Sequence, residues 1–187
     1  MNSIVIVKQA LFILVLLVTA AFFQQGYADD WPMYLHDTYR SSVTTMTLKM
    51  PLNLQWVHVP DQPPQPAWPE PAKRDIWNQV RELSPVVVYD RAYHVVSVGD
   101  AVYYASSADD QVYCLDAATG KIRWRFFAEG PVRLAPTVAA GRVYFSSDDG
   151  HAYCLSAESG TLVWKYAPID HQRLLPGNGR IISASPA

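Results

Sequence analysis

This chain is poor in charge and has no surplus of positive residues. Charged residues make up 17% of its 187 residues. Past residue 28 there are 14 basic side chains (the 15 less Lys8) against 17 acidic ones, a net of −3. That balance disfavours a phosphate-binding surface, and with it a nucleic-acid partner. Long apolar runs are lacking too: Ala10 to Phe23 gives 14 residues, where a membrane span needs about 20. No cysteine follows that run, which argues against a lipid anchor. The histidines (His36, His58, His94, His151 and His171) show no HxxxH or HExxH spacing, so a zinc site is not indicated. Asp109-Asp110 and Asp148-Asp149-Gly150 lack the spaced oxygen ligands of a calcium loop and read as hairpin turns. Ser106-Ser107 and Ser146-Ser147 have no glycine-flanked nucleophile elbow around them and read as turn hydroxyls.

What is present begins with an export signal over residues 1–28. Lys8 supplies a positive start, Ala10 to Phe23 the apolar centre, and Gly26-Tyr27-Ala28 the small residues before a cut at Asp29. The expected location is therefore outside the cytoplasm: periplasmic, cell-surface or secreted. Membrane attachment would result only if the signal stays uncleaved. The chain as a whole is 50% hydrophobic and 12% aromatic, enough for one ordinary domain with a core. Residues 29–92 form a leader. Trp31 to Met50 is polar and mixed, densest at Trp31 to Asp37. Residues 52–59, with Leu52, Leu54, Trp56 and Val59, read as a short strand. Residues 60–71 hold six prolines in twelve positions, an extended linker that cannot donate to a sheet. Lys73 to Leu83 carries a weak helical signal.

Residues 93–187 carry the main feature. Shifted by 40 residues without a gap, ten positions recur between 104 and 124: Tyr104/Tyr144, Ser106/Ser146, Ser107/Ser147, Asp109/Asp149, Tyr113/Tyr153, Cys114/Cys154, Leu115/Leu155, Ala117/Ala157, Gly120/Gly160 and Trp124/Trp164. A period near 40 points to solenoids or propellers. In the second copy Leu134 to Val138, Arg142 to Ser146, His151 to Leu155 and Thr161 to Tyr166 read as four strands. Ala140-Gly141, Asp148-Asp149-Gly150 and Glu158-Ser159-Gly160 separate them as turns. Tyr, Val, Phe and Trp dominate these strands, as a half-buried pleated surface prefers. Four antiparallel strands per repeat define an all-β propeller blade. Blades are expected over 93–127 and 132–167, with a partial third at 180–187 after an insertion at 169–179. Because a propeller needs at least about four blades, the chain reads as the N-terminal fragment of a longer protein.

Each repeat also carries a spaced run. It reads Cys114-Leu115-Asp116-Ala117-Ala118-Thr119-Gly120-Lys121-Ile122-Arg123-Trp124, then Cys154-Leu155-Ser156-Ala157-Glu158-Ser159-Gly160-Thr161-Leu162-Val163-Trp164. This resembles the tryptophan docking motif of the pyrroloquinoline-quinone-like β-propeller repeats, with Cys in place of the usual Ala and Ser156 in place of Asp. The glycines Gly120 and Gly160 would permit a tight turn, and the indoles of Trp124 and Trp164 would stack on the neighbouring blade and donate to a backbone carbonyl. Cys114 and Cys154 occupy equivalent places in adjacent blades, too far apart for a bridge, and read as small buried thiols. Asn53-Leu54-Gln55-Trp56 resembles Lys121-Ile122-Arg123-Trp124. Leu54 and Trp56 are therefore expected in a ring-closing strand that pairs with C-terminal blades of the same protein.

The resemblance implies two rival functions. The first is a non-catalytic binding or scaffold module of the bacterial cell envelope, holding a protein or carbohydrate partner. An outer-membrane-assembly lipoprotein shares the repeat in that way, although this chain lacks the cysteine for a lipid anchor. The second is a quinone (PQQ)-dependent oxidoreductase, with PQQ and calcium near the propeller axis. Catalytic members of the family have adjacent cysteines and acidic and amide calcium ligands, neither of which can be placed here. No catalytic, cofactor-binding or metal residue is therefore assigned, and an oxidoreductase site would lie in other blades.

Overall fold

A computed structural model describes residues 29–65, Ala67, Asp90 and 92–167, and the backbone of two further strands at Leu174–Gly177 and Arg180–Ser183. The export signal and the helical turn expected at 73–83 lie outside the described residues. Two four-stranded antiparallel sheets follow one another. The first runs β1 (Val95–Val98), β2 (Ala101–Ser106), β3 (Gln111–Asp116) and β4 (Ile122–Phe127). The second repeats the order with β5 (Thr137–Ala139), β6 (Arg142–Ser146), β7 (Ala152–Ser156) and β8 (Leu162–Tyr166). These are the blades of an incomplete all-β propeller. The strands Leu174–Gly177 (β9) and Arg180–Ser183 (β10) pair with each other. The insertion expected at 169–179 thus supplies the partner of the strand at 180.

Strand register revises the repeat. Tyr103 lies opposite Cys114 and Tyr144 opposite Cys154, so the first two strands of the blades correspond at an offset of 41, not 40. The third and fourth strands keep the offset of 40. The difference is absorbed between the second and third strands: the connection from Ser106 to its partner Gln111 is one residue longer than that from the equivalent Ser147 to His151. In strands a one-residue slip reverses every side chain, so the distinction is physical. Tyr104 does not match Tyr144; its counterpart is Phe145. Tyr104 stacks on Tyr113 with centroids 4.7 Å apart and 5° between planes, and Phe145 stacks on Tyr153 at 4.9 Å and 3°. Tyr103 and Tyr144 instead face the opposite side, against Trp124 at 5.9 Å and Trp164 at 6.1 Å.

The core sits between the blades. Val96, Tyr103, Ala105, Val112 and Cys114 of the first meet Val138, Val143, Phe145, Tyr153 and Leu155 of the second. Val112, Val143 and Leu155 are wholly buried. Alternation explains why one sheet faces two neighbours: Tyr104, Tyr113 and Leu115 form a separate cluster on the other face of the first blade. The sheets converge where β1 and β5 touch, which marks the inner edge of each blade and makes β4 and β8 the outer strands. A bulge between Cys114 and Leu115, repeated between Cys154 and Leu155, adds one residue to each outer strand beside its tryptophan.

The hairpin β5–β6 turns on Ala140 and Gly141, both left-handed at φ 48° and 70°. A turn with two positive φ values favours Asn-Gly, because the Cβ of an alanine is strained there. Ala140→Asn is expected to raise stability by about 0.5–1 kcal/mol, measured as a higher denaturant midpoint at unchanged slope.

Candidate functional site: docking seams and the axial face

The docking motif owes its shape to the turn between third and fourth strands. Gly120 and Gly160 are left-handed at φ 68° and 69°, and their amides donate to Asp116 O and Ser156 O at 2.8 and 2.9 Å. Glycine is required there for a second reason: a Cβ at Gly160 would stand 2.6 Å from Trp124 Cδ2. The indole of Trp124 lies on that bare backbone, and its Nε1 donates to Ala157 O at 3.0 Å. Trp164, on the outer strand of the second blade, is 43% exposed, with Tyr144 as its ring neighbour. Cys114 and Cys154 are buried and free; burial pushes the Cys114 thiol up to about 11.

Trp56 makes the same contact with the first blade. Its Nε1 donates to Ala117 O at 2.8 Å, and a Cβ at Gly120 would stand 2.5 Å from its Cε3. Two residues on, His58 lies over Tyr104 at 5.7 Å, as Phe126 lies over Phe145 at 6.1 Å. Residues 54–60 therefore sit on the first blade as Ile122 to Ala128 sit on the second. Where that seam has two phenylalanines this one has a polar pair: His58 Nε2 and the Tyr104 hydroxyl are 2.9 Å apart. Residues 52–59 are extended without a ladder, and no partner strand lies beside them among the described residues. Beside Trp56 a cleft of about 240 Å³ opens over Pro60, Tyr93, Val95, Tyr104 and Leu115. On the second blade the corresponding face is covered by Val112 and its neighbours.

Asp116 explains the aspartate of the motif. Its Oδ1 accepts from Thr119 N and Oγ1 at 2.9 and 2.8 Å, and its Oδ2 from Arg123 at 2.7 Å. Arg123 also grips Asp100 through both terminal nitrogens, at 3.0 and 2.7 Å. The guanidinium, and after it Thr119, holds the Asp116 carboxyl down to about 2. The second blade replaces both members of the pair, with Ser156 and Val163. The network closes one turn and is not general to the repeat.

At the other end of the blades, Asp109 and Asp149 accept from the hydroxyls of Tyr113 and Tyr153. Both phenols are pushed above their ordinary range, by burial first and then by these carboxylates. Asp149 also takes Glu129 N at 3.3 Å, and Asp148 N donates to Pro131 O at 3.0 Å. These aspartates build turns and seams. Arg133 lies between Asp90, at 3.3 Å, and Asp148, at 3.8 Å. Asp90 in turn accepts from Ala67 N at 3.0 Å, and Gln62 O and Gln65 O accept from Tyr93 and Ser107. Residues 62–65 and Ala67 of the proline-rich linker are thus laid over the first blade. This end of the blades, which motif spacing did not single out, needed the fold to assemble it. Among the described residues no cluster of three or more His, Cys, Asp or Glu side chains is placed to hold a metal ion.

Fold and site define the class: a β-propeller of quinoprotein-like repeats joined by indole-on-glycine seams. The chain belongs to the family whose model is described as outer membrane protein assembly factor BamB, which matches residues 70–183. No curated protein matches the chain. Solved structures with a similar fold include BamB from Moraxella catarrhalis, 23% identical over 41% of this chain and 24% of its own, with a TM-score of 0.35. A europium-containing methanol dehydrogenase is 21% identical over 42% of this chain and 15% of its own, at 0.37. A quinohemoprotein alcohol dehydrogenase from Comamonas testosteroni is 22% identical over 43% and 14%, at 0.39. The matched stretch is less than a quarter of the length of each.

Two outcomes are expected from this geometry. Gly160→Ala should destabilise by more than about 1 kcal/mol, because it strains φ and displaces the Trp124 ring. Trp124→Ala should cost about 3 kcal/mol, the low end for a truncated tryptophan since the ring is only partly buried. In the double variant the glycine penalty should shrink, as a double-mutant cycle in denaturant would show. The second concerns Asp148, whose carboxyl is pushed up by burial, Arg133 only partly offsetting it. A carboxyl with a raised folded pKa contributes stability that is full below its unfolded value, about 3.9. That contribution is lost as pH rises through the folded value. Asp148→Asn should therefore stabilise at pH 7 and make no difference near pH 3, checked by thermal melts at both.

Proposed function

We propose that this chain is part of a non-catalytic scaffold propeller of the bacterial cell envelope, which holds a protein partner during outer-membrane assembly. The single observation behind this reading is the family match over residues 70–183, which spans both blades. The local chemistry is compatible with it. Trp56, Trp124, Asp116 and Asp149 are engaged in turns and seams. The export signal over residues 1–28 delivers the protein to the envelope in this reading. A carbohydrate partner would be held by the same kind of face.

The reading includes a ring. Residues 52–59 act as the outer strand of a blade whose other three strands come from elsewhere in the same protein, and those strands fill the cleft over Tyr93 and Tyr104. What supports this is the matching seat of Trp56 and Trp124. A structure of the full-length protein is expected to place residues 52–59 beside the third strand of the last blade; any other location refutes the ring. For the scaffold itself, cross-linking of the tagged protein in intact envelopes is expected to trap a component of outer-membrane protein assembly. Reduction of a dye by alcohols or sugars, dependent on added PQQ and calcium, would overturn it in favour of the oxidoreductase.

A further inference from the structure

The leader around Trp31 has no part in the docking motif, yet it is closely built into the fold. Trp31 forms an antiparallel bridge with Ser97: its N–H donates to Ser97 O at 2.7 Å, and its carbonyl accepts from Ser97 N at 2.9 Å. Asp30 Oδ1 accepts from Gly99 N at 2.7 Å. One residue beyond Trp31, Pro32 O accepts from Val138 N at 2.8 Å. Ser97 and Val138 are equivalent positions on β1 and β5, the inner strands of the two blades. The leader therefore crosses from blade to blade within a single residue, on the convergent side. Pro32 has no N–H to offer, which costs nothing where only its carbonyl is used.

Residues 33–41 fasten the crossing. The chain turns back through left-handed residues at Leu35, His36 and Arg40. Trp31 packs on His36 at 4.8 Å and Tyr34 lies edge-on to His94 at 5.7 Å. Asp37 accepts from both Ser41 N and Ser41 Oγ, at 3.0 and 2.6 Å. An inner strand with a free edge presents unpaired amides and carbonyls, available to any other strand or ligand. Here two of those donors, on Ser97 and Val138, are already engaged, and so is Gly99 N in the turn that follows β1.

We propose that residues 30–41 are an inner strap, tying two blades together from the axial side and withholding their inner-edge donors from any strand or ligand that approaches along the axis. Trp124 ties the same two blades from the outside, so the seam is held at both margins. The strap needs only the two blades and stands apart from the scaffold reading: that reading can fail with the strap intact.

Hydrogen exchange on the intact chain tests it. The amides of Ser97, Gly99 and Val138 are expected to exchange as slowly as those of β3 and β7. In the variant Asp30→Ala with Trp31→Pro, which removes one acceptor and one donor of the strap, these three should speed up at least about tenfold. The amides of β3 and β7 should be unchanged. Exchange of the three at loop rates in the unaltered chain overturns the proposal, and so does an unchanged rate in a variant whose β3 and β7 remain protected. If the variant does not fold, the unaltered chain alone decides.

Discussion

Each blade depends on an indole lying flat on a glycine that belongs to the next blade. The contact joins three needs at once. The turn requires a left-handed residue, the ring requires a surface without a Cβ, and the indole N–H requires an acceptor when it leaves water. Gly160 and Ala157 O meet all three for Trp124, and Gly120 and Ala117 O for Trp56. A sheet of four short strands has two faces to cover and cannot cover either alone. The seams therefore carry the stability that in a closed domain would come from a single core.

The second seam shows how far the rule extends. The segment around Trp56 has no sheet of its own among the described residues, yet it occupies the seat that an outer strand would. Trp56 and His58 take the places of Trp124 and Phe126, and His58 and Tyr104 stand where the other seam has a pair of phenylalanines. A buried polar pair costs more than an apolar one when it is mismatched. This seam is thus chemically distinct from its neighbour even though its geometry is the same. Together with the strap on the inner edges, it makes the residues before the first blade part of the fold's framework.

Much of this was legible in the sequence because glycine and tryptophan at fixed spacing leave few physical choices. Strand alternation, turn glycines and the docking run all point to blades. The motif aspartate at position 116 was visible as well, but its purpose was not: Thr119 and Arg123 come to it only once the turn has formed. The gapless repeat also misled in the second strand. Tyr104/Tyr144, Ser106/Ser146 and Ser107/Ser147 compete with Val102/Val143, Tyr103/Tyr144 and Ser106/Ser147, three identities each. Sequence cannot choose between them, because a shortened turn moves the register without leaving a gap near any unmatched residue.

The amino-acid sequence by itself determined the repeat, the blade and the family's fold. Those depend on local conformational limits, the left-handed turn and the two-residue period of a strand, which act within a few residues. Tertiary structure alone decided which face each tyrosine of the second strand takes, where Trp56 docks, and that Trp31 and Pro32 meet the inner edges of two blades. The docking of Trp56 and the strap depend on hydrogen bonds between segments some 60 to 110 residues apart, and no spacing rule along the chain encodes such a pairing.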